Sequence, residues 1–460
     1  MSISTQFLSN FKQNLISKKE NKERYGEVFT NFSLIDKMLD LLPQELFENP
    51  NLKWLDPCAG TGYFMMKVYE RLMRGLSTKK KALKKRHQHI ITKQLYMIEV
   101  NDEHFPELFS IFGENANILM GNYLNYQNLE FDVIVGNPPF NIDGLIKVPT
   151  NKEKTKKNDG KTIWGAFVSN SLENLKEGGY LSFITPSIWL KRDHKMHDVI
   201  IKNSANLKLG CFTNTETNHI FNGEAQTPTC YFSLKKCNQT KQLVSIYNKH
   251  TKYFEELNLL SNTSIPLCYT SIIQKLLSWV DKVGCIDVIK TSMRPGYKGL
   301  KTSANMNKEY PYMNIKTCRL NSINNVQPQL EINYSNIQCS YYGVSKLVLA
   351  HKMYGFPYYD KNGAFGISNR DNYVIIHREK DEFIKLQKFL SLRLALLVYE
   401  TTRYRMKYLE RYAFEFLPDI TKIDNFPEEI TEDTVADFFY FNEMERLWIK
   451  NITKKHYLSF

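Results

Sequence analysis

The sequence of 460 residues contains no apolar run approaching the ~18 residues that a membrane-spanning helix needs. The most apolar late segment, 389–398, carries Arg393 in its middle. The amino terminus shows no basic start followed by an apolar run, so we expect neither a signal peptide nor a membrane partner. None of the eight cysteines forms a C-x2-C or C-x4-C pair. We therefore expect no metal site, and we predict reduced thiols and a cytoplasmic location.

The composition also lacks the extremes that mark disordered, collagenous or coiled-coil chains. Hydrophobic residues make up 42% and charged residues 24%, as in ordinary globular proteins. The length predicts two or three domains. Basic residues are in excess. The 61 lysines and arginines outnumber the 48 acidic residues, which gives a net charge of +13. This excess favours a polyanionic partner.

Short apolar runs alternate with helical patterns through the first half of the chain. This alternation predicts an α/β fold with a mostly parallel, doubly wound sheet, whose ligands bind at the carboxyl ends of the strands. From about residue 240 the alternation is lost, and β-rich pieces are followed by a helical stretch over 379–411. The predicted strands are 52–58, 94–100, 116–122, 131–137, 180–186 and a final pair, 207–213 and 227–236, and the predicted helices are 63–76 and 162–176.

The first polar turn, DPCAGTGYF (56–64), closes the first strand and opens the first helix. Gly60 and Gly62 allow a tight turn and the close approach of a ligand to the backbone. No lysine follows Gly62, which excludes a phosphate loop of the G-x-x-x-x-G-K-[ST] type. Glu99 ends the second strand, where an acid suits the two hydroxyls of a ribose. A surface acid at a strand end is the alternative interpretation of Glu99.

The most specific motif is Asn137-Pro138-Pro139-Phe140, which ends the apolar strand FDVIVG. The two prolines have no N–H and fix the backbone, so the segment is rigid and its carbonyls stay available as acceptors. Asn137 adds a side-chain carbonyl, and Phe140 adds a flat apolar face. Such a pocket would accept two hydrogen bonds from a planar amine and stack on its ring. A proline-terminated strand with a core phenylalanine remains the alternative.

These motifs resemble those of the S-adenosylmethionine-dependent amino-methyltransferases. The closest resemblance is to the gamma-class adenine-N6 DNA methyltransferases of restriction–modification systems, the Taq type. DPCAGTGYF fits the family pattern D/E-P-x-x-G-x-G-x-F, and NPPF fits N/D/S-P-P-Y/F/W. The resemblance covers about 20–240. The cofactor motif precedes the catalytic motif, which in this family is the gamma arrangement. The resemblance implies a Rossmann-like catalytic domain over 1–245 and an α+β target-recognition domain, helical towards its end, over 246–460.

The resemblance also assigns site residues. In GEVFTNFSLIDKML (26–39), Thr30 corresponds to a segment touching the methionine end of the cofactor, although Asn31 stands where proline is usual. Asn122 stands where the family often has an acid near the cofactor's adenine. The implied cofactor-binding residues are Thr30, Asp56, Pro57, Gly60, Gly62, Glu99, Asn122 and Asn137. The implied catalytic residues are Asn137, Pro138, Pro139 and Phe140, and Phe140 and Phe221 would sandwich a flipped base.

The activity so implied is methyl transfer from S-adenosylmethionine to the N6 amine of a flipped adenine in double-stranded DNA. The chain would be a monomer, and a separately encoded restriction endonuclease is a partner that the resemblance allows. RNA or a protein glutamine as the substrate, or a non-catalytic DNA-binding subunit, are the alternatives. Basic residues of the second half are candidates for contacts to DNA: Arg294, Lys298, Lys301, Arg370, Arg403, Arg405, Lys407 and Arg411.

Overall fold

The chain divides into two units, Met1–Glu256 and Leu257–Phe460. The structure, a computed structural model, describes residues 18–143, 161–225, 227–237, 243–260, 263–291, 297–320, 328–351, 356–370, 372–404 and 409–452. None of the helices in these ranges is both long enough and apolar enough to cross a membrane.

The first unit alternates strands and helices, as the sequence predicts. Its helices are α1 (Lys19–Tyr25), α2 (Phe32–Leu39), α3 (Tyr63–Gly75), α4 (Leu83–His89), α5 (Phe105–Phe112), α6 (Trp164–Asn174), α7 (Lys195–Lys202) and α8 (Asn214–Ile220). Its strands are β1 (Trp54–Asp56), β2 (Leu95–Glu99), β3 (Asn117–Met120), β4 (Phe131–Gly136), β5 (Asn141–Ile142), β6 (Lys161–Thr162), β7 (Leu175–Pro186), β8 (Leu207–Phe212), β9 (Thr229–Lys235), β10 (Leu243–Asn248) and β11 (Tyr253–Asn258).

Nine of these strands form one sheet in the order β11-β10-β8-β9-β7-β4-β1-β2-β3. Strands β3, β2, β1, β4 and β7 are parallel neighbours, which is the 3-2-1-4-5 order of a doubly wound Rossmann-like sheet. Strand β9 lies antiparallel between β7 and β8. The predicted α/β class is therefore confirmed.

Burial explains why these segments form the central strands and the first helix. Trp54 in β1 and Val133 in β4 are fully buried, as the near-continuous apolar composition of a parallel strand requires. In α3, Met65, Val68 and Leu72 recur at helical spacing and are also fully buried. The apolar face of α3 thus joins the core, and its first residue directly follows the glycine turn.

The first unit ends later than the sequence suggests. The predicted boundary between 245 and 246 falls inside β10, which pairs in parallel with β8. Strands β10 and β11 extend the sheet beyond the predicted final pair of strands, and the division lies after Glu256. The polar composition of this passage favours a linker, but pairing with a strand distant in sequence recruits it into the sheet.

The second unit is mixed α and β, as predicted. Its two four-stranded sheets have the orders β12-β19-β16-β17 and β13-β15-β14-β18. The strands are β12 (Ile289–Lys290), β13 (Thr302–Ser303), β14 (Tyr312–Leu320), β15 (Pro328–Ser335), β16 (Lys346–Ala350), β17 (Tyr358–Asp360), β18 (Gly366–Ile367) and β19 (Asn372–Ile375). The helices are α9 (Thr270–Val283), α10 (Lys380–Leu390), α11 (Arg393–Thr401), α12 (Glu432–Phe438) and α13 (Glu443–Lys450).

The predicted helical stretch over 379–411 is two helices rather than one. Helix α10 ends at Leu390, and α11 begins at Arg393 and ends at Thr401. The Ser391 hydroxyl donates to the Gln387 carbonyl at 2.7 Å, which satisfies an acceptor at the end of α10. A helix break of this kind interrupts a hydrophobic pattern too briefly to be visible in the sequence.

Candidate active site

The two motifs singled out in the sequence meet at one edge of the sheet. Strands β1 and β4 are parallel neighbours, with Trp54 opposite Val133 and Leu55 opposite Ile134. Because parallel strands end at the same edge, the turns after Asp56 and after Gly136 lie side by side. The strand order reverses between β1 and β4, and open α/β sheets bind their ligands at this switch point.

A cleft opens at this edge of the sheet, where ligands of such folds bind. Seven of the predicted site residues line it: Thr30, Pro57, Gly60, Glu99, Asn122, Asn137 and Pro139. Residues that the sequence did not single out also line it, among them Glu27, Val28, Cys58, Thr61 and Tyr63. The structure thus brings the glycine turn, the end of β2 and the NPPF segment to one cavity.

The glycine turn has the backbone geometry that its sequence predicts. Gly60 and Gly62 have φ angles of +52° and +87°, which favour glycine over residues with a side chain. A Cβ atom on Gly62 would lie 2.6 Å from Cε2 of Phe112. Gly62 is therefore needed both for its conformation and for the close packing of α5 against the turn.

Glu99 is buried, and its carboxylate joins the end of β2 to the glycine turn. Its Oε2 accepts the N–H of Gly60 at 2.6 Å, and Oε1 accepts those of Val100 at 3.0 Å and Asn101 at 2.7 Å. Burial raises the pKa of Glu99, although these three N–H donors act in the opposite direction. A carboxylate has about four lone-pair sites, so it can accept further hydrogens from a ligand.

A histidine–glutamate pair that the sequence analysis missed supports the wall of the cleft. His104 Nε2 forms a short hydrogen bond with Glu27 Oε2, and both side chains are about nine-tenths buried. Burial disfavours the charge on His104, but the Glu27 carboxylate outweighs it, so the pKa of His104 is raised. The partners are distant in sequence, and neither belongs to a recognisable motif.

Asp56 lies below the exposed surface of the turn rather than on it. It is 1% exposed, and its Oδ1 accepts the N–H of Cys58 at 3.1 Å. Burial raises the pKa of Asp56 to about 7. Cys58 does line the cleft, and its thiol donates to the main-chain carbonyl of Asn137 at 3.2 Å. Asp56 and Cys58 thereby connect the glycine turn to the start of the NPPF segment.

The side-chain amide of Asn137 is held by two acceptors. Its Nδ2 donates to the Val28 carbonyl at 3.0 Å and to Thr30 Oγ1 at 3.1 Å. The Val28 carbonyl can only accept, so it must face the NH2 end of the amide. Asn137 Oδ1 therefore points away from this wall, and it has no hydrogen-bond partner among the described residues.

The remaining predicted pocket residues differ in their exposure. Pro139 lines the cleft, Phe140 is half-buried beside it in the chain, and Pro138 is buried. Phe221 is 2% exposed and belongs to the hydrophobic core of the first unit. Its place in a base sandwich stays a prediction, and it would require the ring to leave that core.

Asn31, which stands where the family pattern has proline, has a structural role. Its Oδ1 caps α2 by accepting the N–H of Leu34 at 2.9 Å, and its Nδ2 donates to the Ile220 carbonyl at 3.1 Å. Asn122 also caps a helical turn, through the N–H of Leu124 at 3.0 Å, while lining the cleft. Both departures from the family pattern are thus accommodated by local hydrogen bonds.

The cleft offers groups that fit S-adenosylmethionine, the cofactor that the resemblance implies. Glu99 would accept from the ribose hydroxyls, and the aromatic rings of Phe29 and Tyr63 supply apolar walls. Thr61 Oγ1 is buried in the lining and has no hydrogen-bond partner among the described residues, so it can serve a polar group of a ligand. The described residues contain no group of three or more His, Cys, Asp or Glu that could hold a metal ion.

In the second unit, the described basic candidates are at or near the surface. Lys298, Lys301, Arg370 and Arg411 are exposed, whereas Arg403 is half-buried and pairs with Glu400 at 2.7 Å. Arg294, Arg405 and Lys407 lie outside the described residues.

Comparison with known proteins agrees with the resemblance that the motifs indicate. Residues 29–221 match the Eco57I restriction-modification methylase family. The resemblance inferred from the motifs is thus confirmed for this part of the chain. The matched range begins beside Thr30 and ends at Phe221, so it contains the glycine turn, Glu99 and the NPPF segment.

Three relatives illustrate the match. An uncharacterized adenine-specific methylase of Mycoplasma pneumoniae is 23% identical over 58% of this chain and 82% of its own length. The type II methyltransferase M.BstVI of Geobacillus stearothermophilus is 24% identical over 48% of this chain and 44% of its own. The modification methylase CviBIII of Paramecium bursaria Chlorella virus NC1A is 28% identical over 40% and 43%. The chain thus spans less than half the length of the last two.

Proposed function

We propose that this chain transfers a methyl group from S-adenosylmethionine to the N6 amine of adenine at specific sites in double-stranded DNA. The observation that carries the proposal is Asn137 Oδ1, an unpaired acceptor whose orientation is fixed by Val28 and Thr30. Buried acceptors without a partner are rare in folded proteins, and a functional site is one of the reasons for their occurrence.

The names of the relatives support the choice of substrate. The Mycoplasma pneumoniae relative is named as adenine-specific, and the Chlorella virus relative as a modification methylase. The net charge of +13 adds an electrostatic argument for a nucleic acid. Exposed Lys298, Lys301 and Arg370 in the second unit are candidates for phosphate or base contacts.

The chemistry follows from the acceptors at the end of β4. The exocyclic amine of adenine is a weak nucleophile because its lone pair is delocalised into the ring. Asn137 Oδ1 and the Pro138 carbonyl would accept its two hydrogens, which concentrates electron density on the nitrogen as the new bond forms. Bound S-adenosylmethionine supplies an electrophilic methyl group. Glu99 and the glycine turn would orient that cofactor for in-line transfer.

The base must leave the duplex before it can reach this acceptor. Extrusion costs a few kcal/mol, which contacts in the pocket offset. Phe140, half-buried beside Pro139, would stack on the extruded adenine. We further propose that the chain acts as a cytoplasmic monomer, with a separately encoded restriction endonuclease as a partner.

The test is methyl transfer from labelled S-adenosylmethionine to unmethylated duplex DNA, followed by nucleoside analysis. The wild type should produce N6-methyladenine, and Asn137→Ala should lose at least about 100-fold in rate, the effect of removing one transition-state contact. Asn203→Ala is the matched control, because Asn203 caps α7 through the Val199 carbonyl outside the cleft. No transfer to DNA, with the cofactor bound, would overturn the proposal and favour RNA or a protein amide. Absence of cofactor binding would favour a non-catalytic subunit.

A further inference from the structure

The amide of Asn137 must be oriented correctly before it can act as an acceptor. An asparagine side chain presents an oxygen on one side and an NH2 group on the other, and a half-turn exchanges them. With the NH2 group outward, two donors would face the N–H groups of the substrate amine. The site would then lack its acceptor although every residue of the NPPF motif is present.

Two acceptors of the α1–α2 connection decide this orientation. The Val28 carbonyl and Thr30 Oγ1 lie 3.0 Å and 3.1 Å from Asn137 Nδ2, so both amide hydrogens have a partner. Thr30 is 4% exposed, so water has little access to its side chain. Loss of one acceptor would leave a buried N–H unsatisfied and make the reversed amide more competitive.

The connection itself is anchored on both sides of these two residues. Glu27 bonds to His104, and Asn31 donates to the Ile220 carbonyl at 3.1 Å. Farther along α1, Lys22 Nζ pairs with Glu224 at 2.6 Å. The acceptors that face Asn137 are thus held by contacts that do not involve the NPPF segment.

We propose that Thr30 is a positioning residue that acts through Asn137, in addition to lining the cofactor cleft. Its hydroxyl holds the amide with Oδ1 directed towards the substrate amine, so that its removal lowers kcat for methyl transfer more than it weakens the binding of S-adenosylmethionine. This role rests on the proposed function for its catalytic consequence, but the orientation of the amide can be tested separately.

The experiment compares Thr30→Val with Thr30→Ser. Valine keeps the branched shape and loses the hydroxyl, whereas serine keeps the hydroxyl. For Thr30→Val we expect kcat for DNA methylation to fall about tenfold, the effect of losing one hydrogen bond. The Kd for S-adenosylmethionine should rise by a smaller factor, because Thr30 also lines the cofactor cleft. Thr30→Ser should recover most of the rate. Unchanged kcat in Thr30→Val, or a loss confined to cofactor affinity, would overturn the proposal.

A second measurement needs neither DNA nor turnover. In the chain labelled with isotopic asparagine, the side-chain amide hydrogens of Asn137 are identified by their disappearance in Asn137→Ala. They should exchange slowly with solvent in the wild type and in Thr30→Ser, and faster in Thr30→Val. Equal exchange in all three would overturn the proposal. Protected hydrogens in a chain that does not methylate DNA would instead refute the proposed function and leave the role of Thr30 standing.

Discussion

Glu99 Oε2 accepts the N–H of Gly60 at 2.6 Å, so one carboxylate oxygen ties the end of β2 to the turn after β1. Since Oε1 also accepts two N–H groups, the carboxylate is both a structural acceptor and a lining residue of the cleft. Substitution at this position is therefore expected to affect folding and cofactor binding together.

In Glu99→Gln, an NH2 group would replace one oxygen and face a backbone donor. We expect the free energy of unfolding to fall by about 1–3 kcal/mol, the cost of an unsatisfied buried group. The Kd for S-adenosylmethionine should rise roughly tenfold because a ribose acceptor is lost. Chemical denaturation and calorimetric titration measure the two effects. Glu103→Gln is the control, since Glu103 is half-exposed and pairs with the mostly exposed Lys18. Unchanged cofactor affinity in Glu99→Gln would contradict the ribose assignment.

Gly62→Ala should destabilise the first unit more than Gly223→Ala does. Both glycines have a φ of +87°, so each alanine carries a backbone penalty of roughly 1–2 kcal/mol. Only at Gly62 does the added Cβ meet a neighbour, Cε2 of Phe112 at 2.6 Å; at Gly223 nothing lies within 4 Å. The clash should add about 1–3 kcal/mol. Equal unfolding free energies for the two variants would contradict the predicted clash and show that the turn and Phe112 can move apart at little cost.

Asp56 should make the stability of the first unit fall as the pH rises. Its pKa of about 7 in the fold lies above the ordinary value of 3.8. Between these values the folded chain holds a proton that the unfolded chain releases, so this stabilisation is complete near pH 4 and is lost by about pH 7. At about 1.4 kcal/mol per pKa unit, the total is on the order of 4 kcal/mol.

Asp56→Asn tests this dependence, because an amide has no such ionisation. Denaturation curves from pH 4 to pH 8 should show the wild type losing stability relative to Asp56→Asn as the pH rises. Asp198→Asn is the control, since Asp198 is largely exposed and pairs with Lys202 on the surface of α7. Wild-type and Asp56→Asn curves that stay parallel would contradict the assignment of a buried, protonated carboxyl.

Phe140→Ala and Phe221→Ala should separate base stacking from core packing. Phe140 is half-buried, so its removal should mainly weaken methyl transfer, by roughly 1–3 kcal/mol in kcat/KM for one lost stacking contact. Phe221 is 2% exposed, so its removal should cost about 3–5 kcal/mol in unfolding free energy. Thermal melts and methylation kinetics on both variants give the comparison. A Phe221→Ala chain with wild-type stability and poor turnover would instead favour the predicted sandwich.

Local patterns were sufficient to predict the parts of the site that depend on neighbouring residues. The apolar run of β1, the glycine turn and the buried face of α3 are contiguous, so their sequence spacing determines their structure. The rigid backbone of the NPPF segment is equally predictable from the sequence, because proline restricts its own backbone. The predicted cofactor-binding residues mostly line one cleft for the same reason: parallel strands bring their carboxyl ends together.

The parts that the sequence did not reveal depend on contacts between distant residues. The Val28 carbonyl is a main-chain group, and its importance is visible only once Asn137 is placed beside it. The pairing of Glu27 with His104 and the burial of Phe221 are likewise products of the fold. Strand β10 was missed because its pairing with β8, rather than its polar surroundings, makes it a strand.

The wall that orients Asn137 has a consequence for the order in which the chain becomes active. Val28 and Asn137 are 109 residues apart, and Lys22 and Glu224, which fasten the same wall, are 202 residues apart. Contacts of such sequence separation form late, because the loop between them must close first. A nascent chain therefore cannot complete this wall until the segment around Glu224 has been synthesised. Competence for chemistry should be among the last properties that the first unit acquires during folding.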